Sequence, residues 1–135
     1  MIPSPVSMIS IICVTVLFGM SFNAQSAECN HAVDQSTLNR CADQEFEAAD
    51  ARLNTTYKVL AQQLDAASLE RLRQAQRAWV SYRDAQCAFE SGPSKDGSIY
   101  PMILSGCMEE ATTARTSELE AHLSCEEGDV SCVRR

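Results

Sequence analysis

The stretch LNRCADQEFEAADARLNTTYKVLAQQL, residues 38–64, decides the fold. Its apolar positions are Leu38, Ala42, Phe46, Ala49, Leu53, Tyr57, Leu60 and Leu64, separated by steps of 4, 4, 3, 4, 4, 3 and 4. A helix turns once every 3.6 residues, so this spacing lays one apolar stripe along one side for about seven turns. Ser36 or Thr37 can cap the start by accepting a backbone N–H. Asp65-Ala66-Ala67-Ser68 then reads as a short break, with Ser68 as the next cap. A second helix is expected to turn Leu69, Leu72, Ala75 or Gln76, Trp79, Tyr82 and Cys87 inward. It should stop before residues 91–98, a Gly/Pro/Ser run that disfavours helix. A third helix follows from about Ser98 or Pro101, with Ile103, Cys107, Ala111, Leu119 and Leu123 facing in. No strand-like alternation competes. The expected fold is all-α, a small antiparallel bundle of three main helices stapled by disulfides.

Outside this helical pattern the chain changes character. Val6 to Met20 carries no charged side chain, and small or polar residues follow at Asn23-Ala24-Gln25-Ser26-Ala27. An apolar run of about 15 residues with a small-residue exit reads as a secretory signal, too short for a comfortable membrane span. The expected division is a signal over residues 1–27 and one domain over residues 28–135. Cys29 follows Ala27-Glu28, and a Glu directly before Cys does not suit the small-residue lipobox of a lipoprotein; no membrane anchor is expected after cleavage.

Removing the signal also removes Cys13, which takes the cysteines from seven to six: Cys29, Cys41, Cys87, Cys107, Cys125 and Cys132. An even count in an exported chain implies disulfides. Cys125 and Cys132 bracket a short tail that they can close. Cys29 precedes the first helix and Cys41 sits in its first turns, while Cys87 and Cys107 flank the Gly/Pro run. The favoured pairs are 29–41, 87–107 and 125–132, although antiparallel packing also brings Cys41 and Cys87 to the same end.

The charge narrows the function. Eighteen Asp and Glu against eleven Lys and Arg give a net charge of −7, all of it after residue 27. A nucleic-acid binder would need a basic footprint instead. His31 and His122 are the only histidines, and no His or Cys spacing suits a metal. Gly-rich phosphate loops and nucleophile elbows are absent from the sequence. Neither an enzyme nor a cofactor is expected.

Two segments resemble a known family. One is residues 41–57, with Asp50, Leu53, Asn54 and Tyr57 in an Asp-x-x-Leu-Asn-x-x-Tyr pattern. The other is residues 72–87, where Gln76, Trp79, Tyr82, Arg83 and Asp84 form Gln-x-x-Trp-x-x-Tyr-Arg-Asp, followed by Gly97, Ser98 and Cys107. Together they are similar to the LprI-type lysozyme inhibitor domain of small exported bacterial proteins. The resemblance spans about Cys29 to Leu123 and implies inhibition of lysozyme by direct binding.

The motif residues have a structural reading and a functional one. Asp50, Leu53, Asn54 and Tyr57 share one helical face, as do Gln76, Trp79, Arg83 and Cys87 on the next helix. The faces can form a recognition surface, or the aromatics can enter the core while Asp50, Asn54, Gln76 and Arg83 hydrogen-bond across the hairpin. The structural reading is favoured.

Animal-type lysozyme is basic and works with two carboxyl groups in a cleft, so an acidic inhibitor would be steered toward it. The loop Ser94, Lys95, Asp96, Gly97 and Ser98 is the candidate contact, with Lys95 its only cation; a plain solvated connector is the alternative. Glu109-Glu110 and Glu126-Glu127 are further acidic positions, suited to steering or simply to a solvated face. Two classes of function stay open: an inhibitor of a peptidoglycan-cleaving hydrolase, and a periplasmic helical adaptor that binds another envelope protein without inhibiting anything.

Overall fold

The computed structural model describes residues 29–126 and 128–133. The expected signal segment and Glu127 lie outside that range. Three long helices follow one another: α1, Gln35–Gln63; α2, Ala66–Ser91; and α3, Tyr100–Leu123. A single 3-10 turn, Gly92–Ser94, extends the end of α2. No helix among the described residues is long and apolar enough to cross a membrane.

Both expected caps move to aspartates. Asp34, not Ser36 or Thr37, accepts the Thr37 backbone N–H at 2.9 Å, so α1 starts earlier than its apolar stripe. Asp65, not Ser68, takes the same role for α2, accepting the Ser68 N–H at 2.6 Å. In each case the carboxylate reaches an N–H three residues ahead, and its charge also suits the positive end of the helix dipole. Hydrogen bonding to Thr37 holds the Asp34 carboxyl below its usual range.

Contacts along the helices define their senses. Arg83 of α2 reaches Thr112 of α3, and Gln76 reaches Arg115, so residue numbers fall along α3 as they rise along α2. Gln35 and Asn39 of α1 instead meet Met102 and Ser98, while Leu53 and Leu60 meet Leu119. The numbers therefore rise together along α1 and α3. The α1–α3 seam is the main packing interface, and α2 meets α3 through a smaller one. Long side chains rather than close backbones bridge α1 and α2.

At one end of the bundle, Leu53, Leu60 and Leu119 are almost fully buried, with Tyr57, Leu64, Leu72, Trp79 and Leu123 packed around them. Toward the other end the interior turns polar, with Arg83, Ser91, Thr112 and Thr116 buried beside Cys41 and Cys87. The three disulfides join Cys29 to Cys41, Cys87 to Cys107 and Cys125 to Cys132, with Cα separations of 5.7, 5.6 and 5.8 Å. These are the favoured pairs; the Cys41–Cys87 alternative does not occur. The first pins the segment before α1, the second staples α2 to α3 across the turn, and the third closes the tail.

Two expected core positions turn outward. Tyr82 is 63% exposed, and Ile103 is 40% exposed. Tyr82 precedes Arg83 by one residue, about 100° around the helix. Because α2 is rotated so that Arg83 and Cys87 face the bundle, Tyr82 is carried past its edge. Ile103 lies on the outer flank of the first turns of α3, where Asn39 and Gln35 contact Ser98 and Met102 instead.

Candidate functional site

Most motif residues form one intramolecular network centred on Arg83, which is 7% exposed. Its guanidinium donates to the Thr112 hydroxyl at 3.1 Å and pairs with Asp84 at 2.9 Å and Asp50 at 3.5 Å. The same group lies over two rings, 5.1 Å from the Trp79 centroid and 5.2 Å from that of Phe46. A planar guanidinium suits this environment because it stacks and donates in several directions at once. Asn54 donates to Asp50 at 2.7 Å, one turn along α1, and so holds the carboxylate facing Arg83.

Trp79 also lies near Arg115, whose guanidinium is 5.9 Å from the ring centroid. Arg115 donates to Gln76 at 3.2 Å and to Glu118 at 2.7 Å. Asp50, Asn54, Gln76, Trp79, Arg83 and Asp84 are thus joined to one another or to α3. Leu53 and Tyr57 belong to the leucine cluster beside them. Among the described residues, no buried side-chain nitrogen or oxygen lacks a hydrogen-bond partner. Tyr82 alone among the motif aromatics faces solvent.

Sequence reasoning missed Arg115 and Thr112. The apolar register of α3 skips from Ala111 to Leu119, and Arg115 occupies the intervening turn. That gap was the available signal: an inward position held by a cation implies an aromatic or acceptor opposite it. Thr112 carried no comparable mark, because a threonine on a helix satisfies its hydroxyl as readily outside as inside.

The loop Ser94–Ser98 is built from consecutive tight turns. Backbone bonds run from Lys95 to Gly92 at 3.1 Å, from Gly97 to Ser94 at 2.8 Å and from Tyr100 to Gly97 at 3.1 Å. The Ser94 hydroxyl donates to the Ser91 carbonyl at 2.8 Å, and Asn39 of α1 donates to the Ser98 carbonyl at 2.9 Å. The loop is therefore anchored to α1 and α2 while Lys95, Asp96, Gly97 and Ser98 stand exposed. Ser94 shapes the turn, its hydroxyl being directed back into the loop. The network and the loop are separate features, joined through the Cys87–Cys107 staple and the final turn of α2.

Elsewhere, Leu60, Leu64, Leu72 and Leu119 floor an open cleft of about 320 Å³, with Arg71, Arg115 and His122 at its border. No group of three or more His, Cys, Asp or Glu side chains able to hold a metal occurs among the described residues.

Comparison with known proteins places this architecture. The family model described as "Lysozyme inhibitor LprI" matches residues 27–119, which takes in α1, α2 and all but the last turn of α3. The chain belongs to the LprI lysozyme inhibitor family. The family is one of inhibitors and not of enzymes. An uncharacterized protein of Rhizobium meliloti (strain 1021) is 48% identical over 113 residues, covering 73% of this chain and 81% of that protein. No solved structure matches. The matched region contains both motif segments and the Ser94–Ser98 loop, so the LprI pattern corresponds to the parts that build the Arg83 network.

Proposed function

We infer that this LprI protein is exported through a signal peptide over residues 1–27 and inhibits lysozyme by binding it directly in the periplasm or outside the cell. The observation that carries this reading is the match to the LprI family model over residues 27–119. Physical support comes from the charge: a protein of net −7 approaches a basic lysozyme under attraction, with an association rate that falls as salt rises.

The proposed contact is the Ser94–Ser98 loop. A lysozyme cleft offers two carboxyl groups, and an anchored turn projecting Lys95 and the Ser98 hydroxyl brings a cation and a compact donor to them. Anchoring limits the ordering cost of binding. Ser94 serves by holding the turn's shape. The Arg83 network supports the scaffold from within.

The test is lysis of a cell-wall suspension by c-type lysozyme with increasing amounts of purified, oxidised protein. Slowed lysis near molar equivalence is expected. Unchanged lysis at clear molar excess would reject the inhibitor reading for that lysozyme class and favour an adaptor role. Given inhibition, Lys95→Ala should weaken it by at least about tenfold, the scale of an interface anchor, with no change in Tm. Equal potency of that variant would remove the loop from the contact.

A further inference from the structure

Along the outer side of α2, Ala75, Ala78, Tyr82, Ala85 and Phe89 recur at steps of 3, 4, 3 and 4, and every one is exposed. Tyr82 is 63% and Phe89 78% exposed. The adjoining exposed positions Gln74, Ser81 and Ala88 are uncharged as well. Between Ala75 and Phe89 the charges of α2 sit elsewhere: Arg77 bridges to Glu70 and Arg83 is buried against Asp84. Arg71, one turn before Ala75 on the same line, ends the seam and donates to Ser68. A helix of an acidic protein thus presents, from Ala75 to Phe89, a seam of alternating 3 and 4 spacing with no charge in it, the pattern of a helix-pairing surface.

We propose that this seam is the interface of a homodimer, in which α2 packs antiparallel against α2 of a second copy. The register follows from the sequence. With the two-fold axis passing between Arg83 and Asp84, Ala78 lies opposite Phe89 of the other copy, and Tyr82 lies opposite its Ala85. Symmetry repeats both pairings, so each of the four layers sets one aromatic ring against one alanine. That is the self-complementarity a two-fold interface demands, and the small residues leave room for the rings when helix axes approach to about 8–10 Å.

The charge pattern selects a second copy over a basic target. Two molecules of net −7 repel, and this uncharged seam is where they can meet without apposing like charges. A basic lysozyme gains nothing electrostatic here. The area fits a reversible dimer. Rings of about 200 Å² each, exposed to the stated extents, offer on the order of 280 Å² per copy. With the alanine rows, two copies reach roughly 1,000 Å², the lower bound for a specific interface.

Sedimentation equilibrium of the oxidised protein from about 1 to about 500 µM tests this, a range spanning the weak affinities expected of so small an interface. The expected result is a monomer–dimer equilibrium. Tyr82→Lys and Phe89→Lys should each raise the dissociation constant at least about tenfold without lowering Tm, since both side chains are already solvated. Arg73→Ala, off the seam, should leave it unchanged. A photocrosslinker at position 78 should attach to the peptide containing Phe89 of the other copy. A monomer throughout, a dimer indifferent to both Lys variants, or crosslinking to another segment overturns the proposal. So does monomeric protein whose Tyr82→Lys variant loses lysozyme binding, which would assign the seam to the target.

Discussion

The two ends of the bundle are held together by different physics. Around Leu53, Leu60 and Leu119 the interior is apolar, and its cohesion comes from removing leucine surface from water. Around Arg83, Thr112 and Cys87 most of the buried residues are polar or covalently joined, and cohesion comes largely from directed hydrogen bonds, stacking and the Cys87–Cys107 bridge. The difference reflects size. A three-helix domain of this size has a limited core, and here the apolar part occupies one end while disulfides and an arginine network substitute for it at the other.

The largest effect should come from the apolar end. Leu60 is 1% exposed, so Leu60→Ala should cost about 3–4 kcal/mol, read as a fall in Tm and denaturation midpoint. An unchanged midpoint would mean that the leucine cluster is not a cooperative core. Next comes the staple: replacing Cys87 and Cys107 together with Ser should cost about 3 kcal/mol, by freeing a loop in the unfolded chain. In that double variant, hydrogen exchange should rise first around residues 83–112 while the amides of Leu53 and Leu60 stay protected. Uniform loss of protection would erase the distinction between the ends.

Arg83→Ala should follow, at about 2 kcal/mol, because it orphans the buried Thr112 hydroxyl and removes the cation from two rings. Arg83→Lys should recover little of this, since an ammonium cannot stack and fork as the guanidinium does. Full recovery would reduce the network to a simple ion pair.

The smallest effect lies at the Asp34 cap. Its folded pKa is lowered, so its contribution is present above the unfolded carboxylate pKa and is lost as pH falls through the folded value. Asp34→Ala should therefore lower Tm slightly at neutral pH, with the gap to the parent closing in acid. A gap independent of pH would contradict the cap.

Much of this arrangement was legible in the sequence, and the exceptions are instructive. The stripe from Leu38 to Leu64, the break at Asp65 and the end of α2 at Ser91 follow from periodicity and turn chemistry, which are local properties. The disulfide pairs were favoured on spacing because each closes a short segment or spans one turn. Arg83 was placed on the right face by its spacing from Trp79 and Cys87, but its burial was not visible from composition. An arginine enters an interior only when acceptors and rings converge on it, and those come from Asp50, Phe46 and Thr112, far away in the chain.

By itself the sequence determined the three helices, the bridges that were favoured and the LprI family. The tertiary structure alone decided that α1 packs chiefly along α3 and that Tyr82 faces water. The physical reason is the same for both. Periodicity sets the angles between residues on one helix, but the helix's rotation about its axis, and which neighbour its stripe meets, depend on the summed packing of all three.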